Sequence, residues 1–173
     1  MNYKIKEGYW IWGKFDKKST IILNKIYAEV NHNLLGPKFD IHLTISGPVP
    51  NPYTNKNALD LFNQIGLTIN SIDLIPKKYC YTEKFFESLF IEINLDKKLK
   101  DFKYNIDKKF NVEKKFFNPH ISLYYGKKSS NVKKNVISKL SKLPAKLKLV
   151  KLCYVHIDKK INNWIVINDV YLK

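Results

Sequence analysis

A chain of 173 residues with 45% hydrophobic and 14% aromatic content can bury a core, which excludes global disorder and fits one domain. Six Gly and seven Pro exclude collagen-like and low-complexity chains, and the two Cys, Cys80 and Cys153, exclude a disulfide framework and a four-thiolate zinc site. Basic residues number 31 against 15 acids, a net charge of +16, and every one of the 31 is Lys. Such a charge suits a phosphate-bearing partner, and it also suits an AT-rich coding bias that enriches Lys, Asn, Ile, Tyr and Phe. Without Arg, no guanidinium fork can grip a phosphate, so Lys, His, hydroxyls or backbone N–H groups must hold it.

The N-terminus, Met1 to Glu7, has no apolar signal-like run, and no stretch approaches the roughly 18 apolar residues of a membrane span. The expectation is a soluble, cytoplasmic, monomeric domain over 1–173. Residues 3–13 read as a strand, and Ser19 or Thr20 caps a helix running to Leu34, with Ile22, Ile26, Val30 and Leu34 on one face. Gly36-Pro37 stops it. A strand follows over 39–46, ended by Gly47-Pro48, then a loop at Pro50-Asn51-Pro52. A short helix is predicted over 56–65, closed by Gly66, and a strand over 67–74.

The second half repeats the rhythm. Leu89, Ile91, Ile93 and Leu95 alternate with polar residues as a half-buried strand. A helix over 96–110 carries Leu99, Phe102, Ile106 and Phe110 on one face. A strand over 119–125 ends at Gly126, a helix over 132–143 stops at Pro144, and two terminal strands span 146–157 and 163–171. The pattern predicts an α+β architecture of two similar lobes, each a strand, a helix and a second strand.

Two of the four histidines sit in matched contexts: Phe39-Asp40-Ile41-His42-Leu43-Thr44-Ile45 and Phe117-Asn118-Pro119-His120-Ile121-Ser122-Leu123. In an extended chain, residues two apart share a face. His42 therefore stands beside Thr44, and His120 beside Ser122, while the intervening residues point to the core. Fourteen of 173 residues are Ser or Thr. Chance places a hydroxyl two residues after a given His about 8% of the time, and twice among four His about 4% of the time. Two imidazoles supply an acid and a base near neutral pH, and two hydroxyls donate to phosphate oxygens, with no metal required. That set fits the opening of a phosphodiester.

These motifs resemble the two His-x-Thr/Ser motifs of the two-histidine phosphoesterase superfamily. The likeness is strongest to the small cyclic phosphodiesterase of plants and yeast. It rests on Tyr9-Trp10-Ile11-Trp12, on Leu35-Gly36-Pro37-Lys38-Phe39 before His42, and on Phe85-Phe86 and Pro119 to Tyr125. The resemblance implies a bilobal, pseudo-symmetric α+β fold, with antiparallel sheets lining a central cleft and helices outside. It implies metal-independent hydrolysis of 2′,3′-cyclic nucleotides, RNA 2′,3′-cyclic ends or ADP-ribose 1″,2″-cyclic phosphate, with no cofactor. His42 and His120 would be catalytic, with His120 the base and His42 the acid. Thr44 and Ser122 would bind the phosphate together with Tyr125. Strict alternation turns Tyr125 away from Ser122, so the strand must bend there, or Tyr124 takes its place. Trp10, Trp12 and Phe86 are candidates to stack a base. His32 and His156 read as structural or surface residues, and both thiols as free. Two alternatives use the same composition: degradation of 2′,5′-linked or cyclic oligonucleotide signals, and a non-catalytic RNA-binding module.

Overall fold

A computed structural model describes residues 7–50, 56–113 and 116–173, with the side chains of 56–58 left aside. The predicted strand at 3–6 and the Asn51-Pro52 loop lie outside the described residues. The elements run β1 (Gly8–Phe15), α1 (Lys17–Leu34), β2 (Leu43–Val49), α2 (Lys56–Thr68), β3 (Ile72–Leu74), β4 (Pro76–Tyr81), β5 (Leu89–Ile93), α3 (Lys97–Lys109), β6 (His120–Tyr124), α4 (Ser130–Ile137), β7 (Leu147–Ile157) and β8 (Ile165–Tyr171).

The strands form one antiparallel sheet in the order β3-β7-β1-β2-β6-β5-β4, with β8 also on β7. Its end strands β3 and β4 are separated in sequence only by Ile75. Two edges joined by so short a link must come together, so the sheet nearly closes into a barrel.

The two lobes are legible in the pairing. β1 and β2 are antiparallel neighbours joined through α1, and β5 and β6 are antiparallel neighbours joined through α3. Each helix opens on the same Asp-Lys-Lys triplet, with the Asp as its cap and the first Lys as its first residue. Asp16 and Asp96 each accept a hydrogen bond at 2.8 Å from the amide three residues on, Ser19 and Leu99. This satisfies one of the free donors at each helix start. Ser19 and Thr20 are thus not the cap; the buried Ser19 hydroxyl instead accepts from the Lys148 amide at 2.9 Å. The lobes meet where β2 pairs with β6, and Leu43 is opposite Ile121 there. α1 packs over β6 and α3 over β2. Leu23, Ile26, Val30 and Leu34 from α1 join Leu99, Phe102 and Ile106 from α3 in the core. Burying each such side chain contributes about 1.5–3 kcal/mol.

Several boundaries differ from the sequence reading. α2 runs through Gly66 to Thr68, so 67–74 is not one strand and only Ile72–Leu74 is extended. Gly66 is there for close approach, since a Cβ on it would lie 2.1 Å from Val170 Cγ2 on β8. β2 passes through Gly47-Pro48 to Val49, and shifts in its β1 register take up the irregularity. The sequence pattern does not predict β4, because Pro76 reads as a breaker; a proline is tolerated at the first position of a strand. α4 ends at Ile137, well before Pro144. Among the described residues, no helix is long and apolar enough to cross a membrane.

Candidate functional site

The Leu43–Ile121 pair sets the geometry of the site. In an antiparallel register, the residues flanking such a pair also face one another. His42 is therefore opposite Ser122, and Thr44 opposite His120. All four line one cavity of about 300 Å³, together with Trp10, Phe86, Glu87, Tyr125, Ile157 and Trp164.

The two imidazoles are held alike. Nδ1 of His42 lies 2.6 Å from the carbonyl oxygen of Asp40, and Nδ1 of His120 lies 2.9 Å from that of Asn118. A carbonyl only accepts, so each Nδ1 is the protonated nitrogen and donates. In the neutral ring the lone pair then sits on Nε2. The residue two before each His thus fixes its tautomer, so the repeat extends to the backbone that holds each ring.

Their surroundings differ. His42 is 6% exposed and lies flat on Trp12, with ring centroids 3.6 Å apart and planes 8° from parallel. Lys14 donates to the Ile41 carbonyl at 2.9 Å and pairs with Asp40 at 3.4 Å, anchoring the segment that holds His42. Burial, with the nearby charges of Lys14 and His120 added to it, pushes the His42 pKa down from 6.5 to about 3. His120 is half-buried and packs beside Phe90, ring centroids 5.0 Å apart.

Tyr125 reaches the cavity by a β-bulge. Phe90 pairs with Ser122, but the next residue, Leu89, pairs with Tyr124, so one step of β5 spans two of β6. The extra residue shifts the alternation by one. Tyr124 turns into the core, and Tyr125 turns to the face of His120 and Ser122. Gly126, at φ +154°, completes the bend; a Cβ there would lie 2.1 Å from the Tyr124 hydroxyl. The Tyr125 hydroxyl shares a hydrogen bond with that of Ser122, and burial drives its pKa far above the usual phenol value. Ser122 in turn donates to the Phe86 carbonyl at 3.4 Å.

Of the three aromatics expected to stack a base, Trp10 and Phe86 line the cavity. Trp12 does not: it is 2% exposed, one face is covered by His42, and its indole N–H is buried without a partner. It supports the imidazole from beneath. Trp164, which the motifs do not single out, lines the cavity instead. It stands in the β7–β8 hairpin, where its indole N–H donates to the Asp158 carbonyl at 2.9 Å. Its ring packs within 5.7–6.3 Å of Trp12, Tyr125 and Phe86. The signal for it in the sequence is a large aromatic in an otherwise polar hairpin.

His32 is exposed on α1, and His156 packs against Tyr9 with ring centroids 5.0 Å apart, both away from the cavity. Cys80 and Cys153 are free. Among the described residues, no three His, Cys, Asp or Glu side chains group as metal ligands.

No family model and no curated protein matches this chain by sequence. Solved structures match nearly all of it. Apo E. coli LigT aligns over 96% of this chain and 98% of its own, at TM-score 0.64 and 12% identity. TT0787 of Thermus thermophilus aligns over 95% and 97%, at TM-score 0.63 and 13% identity. A structure described as a phosphoesterase aligns over 96% and 99%, at TM-score 0.60 and 12% identity. LigT has also been solved with phosphate, 3′-AMP, NADP+ and ATP. A sheet nearly closed on itself, two strand-helix-strand lobes and a cleft where the lobes meet give this chain the same fold as LigT and TT0787.

Proposed function

We propose that the protein is a phosphodiesterase that hydrolyses cyclic phosphodiesters, such as 2′,3′-cyclic nucleotides or RNA 2′,3′-cyclic ends, with His42 and His120 as its acid–base pair and no metal. One observation carries this reading. The Leu43–Ile121 register brings two imidazoles and two hydroxyls to one face of adjacent strands, around one cavity. Thr44 donates to the non-bridging phosphate oxygens, where charge grows in the transition state, and Ser122 joins it by turning its one O–H from the Phe86 carbonyl to the phosphate. Tyr125 orients the Ser122 hydroxyl through their hydrogen bond. Aromatic walls from Trp10, Phe86 and Trp164 suit a nucleobase.

The resemblance implies His120 as base and His42 as acid, and the surroundings of the two rings favour the opposite assignment. His42 is buried and held neutral, with its Nε2 lone pair free, so it accepts the proton of the attacking water. The anionic phosphate beside it raises its basicity when substrate binds. His120 stands in the more open position and gives a proton to the departing ribose oxygen. LigT, of the same fold, has been crystallised with 3′-AMP and with phosphate, which is the chemical class of the product and of the reacting group.

The test is turnover of adenosine 2′,3′-cyclic phosphate in EDTA by the intact chain, with product position read by chromatography. Hydrolysis to one monoester, lost in His42→Ala and in His120→Ala, supports the reading. No turnover, or turnover that survives both substitutions, overturns it.

A further inference from the structure

Of the residues that line the cavity, only Glu87 is acidic. The proposed substrate is an anion, so a like charge beside it weakens binding unless the carboxylate accepts from another part of the ligand. Lys84 donates to Oε2 of Glu87 at 2.8 Å. Among the described residues, no group donates to Oε1. The side chain is 33% exposed and stands at the wall of the cavity. Oε1 is therefore an acceptor left open to a ligand.

The loop that carries this carboxylate is fixed from several sides. The Thr82 hydroxyl donates to the Glu87 carbonyl at 2.7 Å and accepts from the Lys84 amide at 3.1 Å. The Gly126 amide donates to the Phe85 carbonyl at 3.1 Å. Phe86 directly precedes Glu87 and lines the cavity, so a base against its ring lies beside the residue that bears the carboxylate. The other walls leave the base edge unread. Phe86 and Ile157 have no polar side-chain atom, and an indole N–H such as that of Trp10 can only donate. Trp164 spends its indole N–H on the Asp158 carbonyl, and Tyr125 shares its hydroxyl with Ser122.

We propose that Glu87 reads the edge of the nucleobase and makes the site selective for guanine. This rests on the proposed function, which puts the phosphate on the four motif residues and the base against the aromatic walls. A carboxylate only accepts, so it favours a base with donors side by side. Guanine presents its N1–H next to its N2 amine, and one carboxylate takes both. The Lys84 ammonium, on the same carboxylate, has two N–H donors left for guanine O6. Adenine and cytosine each set one amine beside a ring nitrogen whose lone pair faces the carboxylate. Uracil sets its one N–H between two carbonyl oxygens. A site whose acceptor is left unpaired or opposed discriminates against those bases. Hypoxanthine keeps N1–H and lacks the amine, so it ranks between guanine and adenine.

The experiment measures, by calorimetry on the intact chain and on Glu87→Gln, the Kd of guanosine, inosine, adenosine and uridine 3′-monophosphates. Steady-state kinetics adds kcat/KM for the four 2′,3′-cyclic phosphates. The wild type should bind the guanosine nucleotide about 10 to 100-fold tighter than the adenosine one, the size of a bidentate base contact, with inosine between. A glutamine amide offers one acceptor and one donor, which matches the amine and ring nitrogen of adenine. Glu87→Gln should therefore weaken guanosine binding and tighten adenosine binding, a change of preference that a damaged loop cannot produce. A wild type that does not favour guanosine, a preference that Glu87→Gln leaves intact, or an equal loss for all four bases overturns the assignment, while turnover of the cyclic phosphates leaves the phosphodiesterase standing. If no monophosphate binds and no cyclic phosphate turns over, the proposed function falls and the guanine assignment falls with it.

Discussion

His42 lies face to face on Trp12 at 3.6 Å, and Trp12 is itself buried. The indole seals one side of the imidazole from water, and the chain around Asp40 and Lys14 closes more of it. The resulting desolvation is the largest cause of the fall in its pKa to about 3. A histidine that the sequence marks as one of a matched pair is thus chemically unlike its twin.

His42→Ala and His120→Ala should each lower kcat on a cyclic nucleotide by about 10² to 10⁴-fold, and the double variant should lose little more than the worse single one. Thr44→Ala and Ser122→Ala should lose about 10 to 10³-fold. Steady-state kinetics with EDTA present reads all five. Equal losses from His32→Ala or His156→Ala would place the chemistry elsewhere.

The His42 environment predicts a pH dependence of stability. Its folded-state pKa of about 3 lies below the value near 6.5 of an unfolded imidazole. Above about pH 6.5 both states are neutral and the full stability is present. As pH falls below that, the unfolded chain binds the proton and the folded chain does not, so stability drops by up to about 1.4 kcal/mol per pH unit. Urea denaturation between pH 6.5 and 5, above the ordinary carboxylate range, should show this slope in the wild type and a shallower one in His42→Gln.

Lys133 is fully buried on α4, and its amine donates to the Thr82 carbonyl at 2.6 Å. Thr82 opens the loop that carries Phe86 and Glu87, and its hydroxyl donates to the Glu87 carbonyl at 2.7 Å. The Gly126 amide docks the same loop by donating to the Phe85 carbonyl at 3.1 Å. Lys133→Met leaves the Thr82 carbonyl unpaired, a loss of about 1–3 kcal/mol in stability. KM should rise more than kcat falls, because the loop forms a wall of the cavity and carries neither His. Thermal unfolding and steady-state kinetics check the two halves.

Trp164→Ala removes the ring that packs Phe86 and Tyr125 but touches neither motif strand's backbone pairing. It should raise KM for a nucleotide about tenfold, as expected for one lost stacking surface, with kcat changed less. A kcat loss as large as that of His120→Ala would show that Trp164 positions the reacting groups rather than the base.

By itself the sequence determined the two lobes, the pairing of His42 with Thr44 and of His120 with Ser122, and the need to hold any phosphate without Arg. Those follow from strand alternation and residue chemistry, which are local. It also located α1 and α3, because their apolar stripes recur over several turns. Only the tertiary structure decided the rest. Gly66 reads as a helix stop because its role, close approach to Val170, involves a strand about a hundred residues away in the chain. Tyr125 turns inward because of a bulge between β5 and β6, and a bulge is a property of pairing that neither strand carries alone. Trp12 sits under His42 and Trp164 lines the cavity because β1 lies between β2 and β7, an order that a linear pattern does not contain. The difference between the two imidazoles is likewise three-dimensional: desolvation depends on everything that closes over a group, and for His42 that includes a tryptophan thirty positions earlier, with the charge of Lys14 added to it.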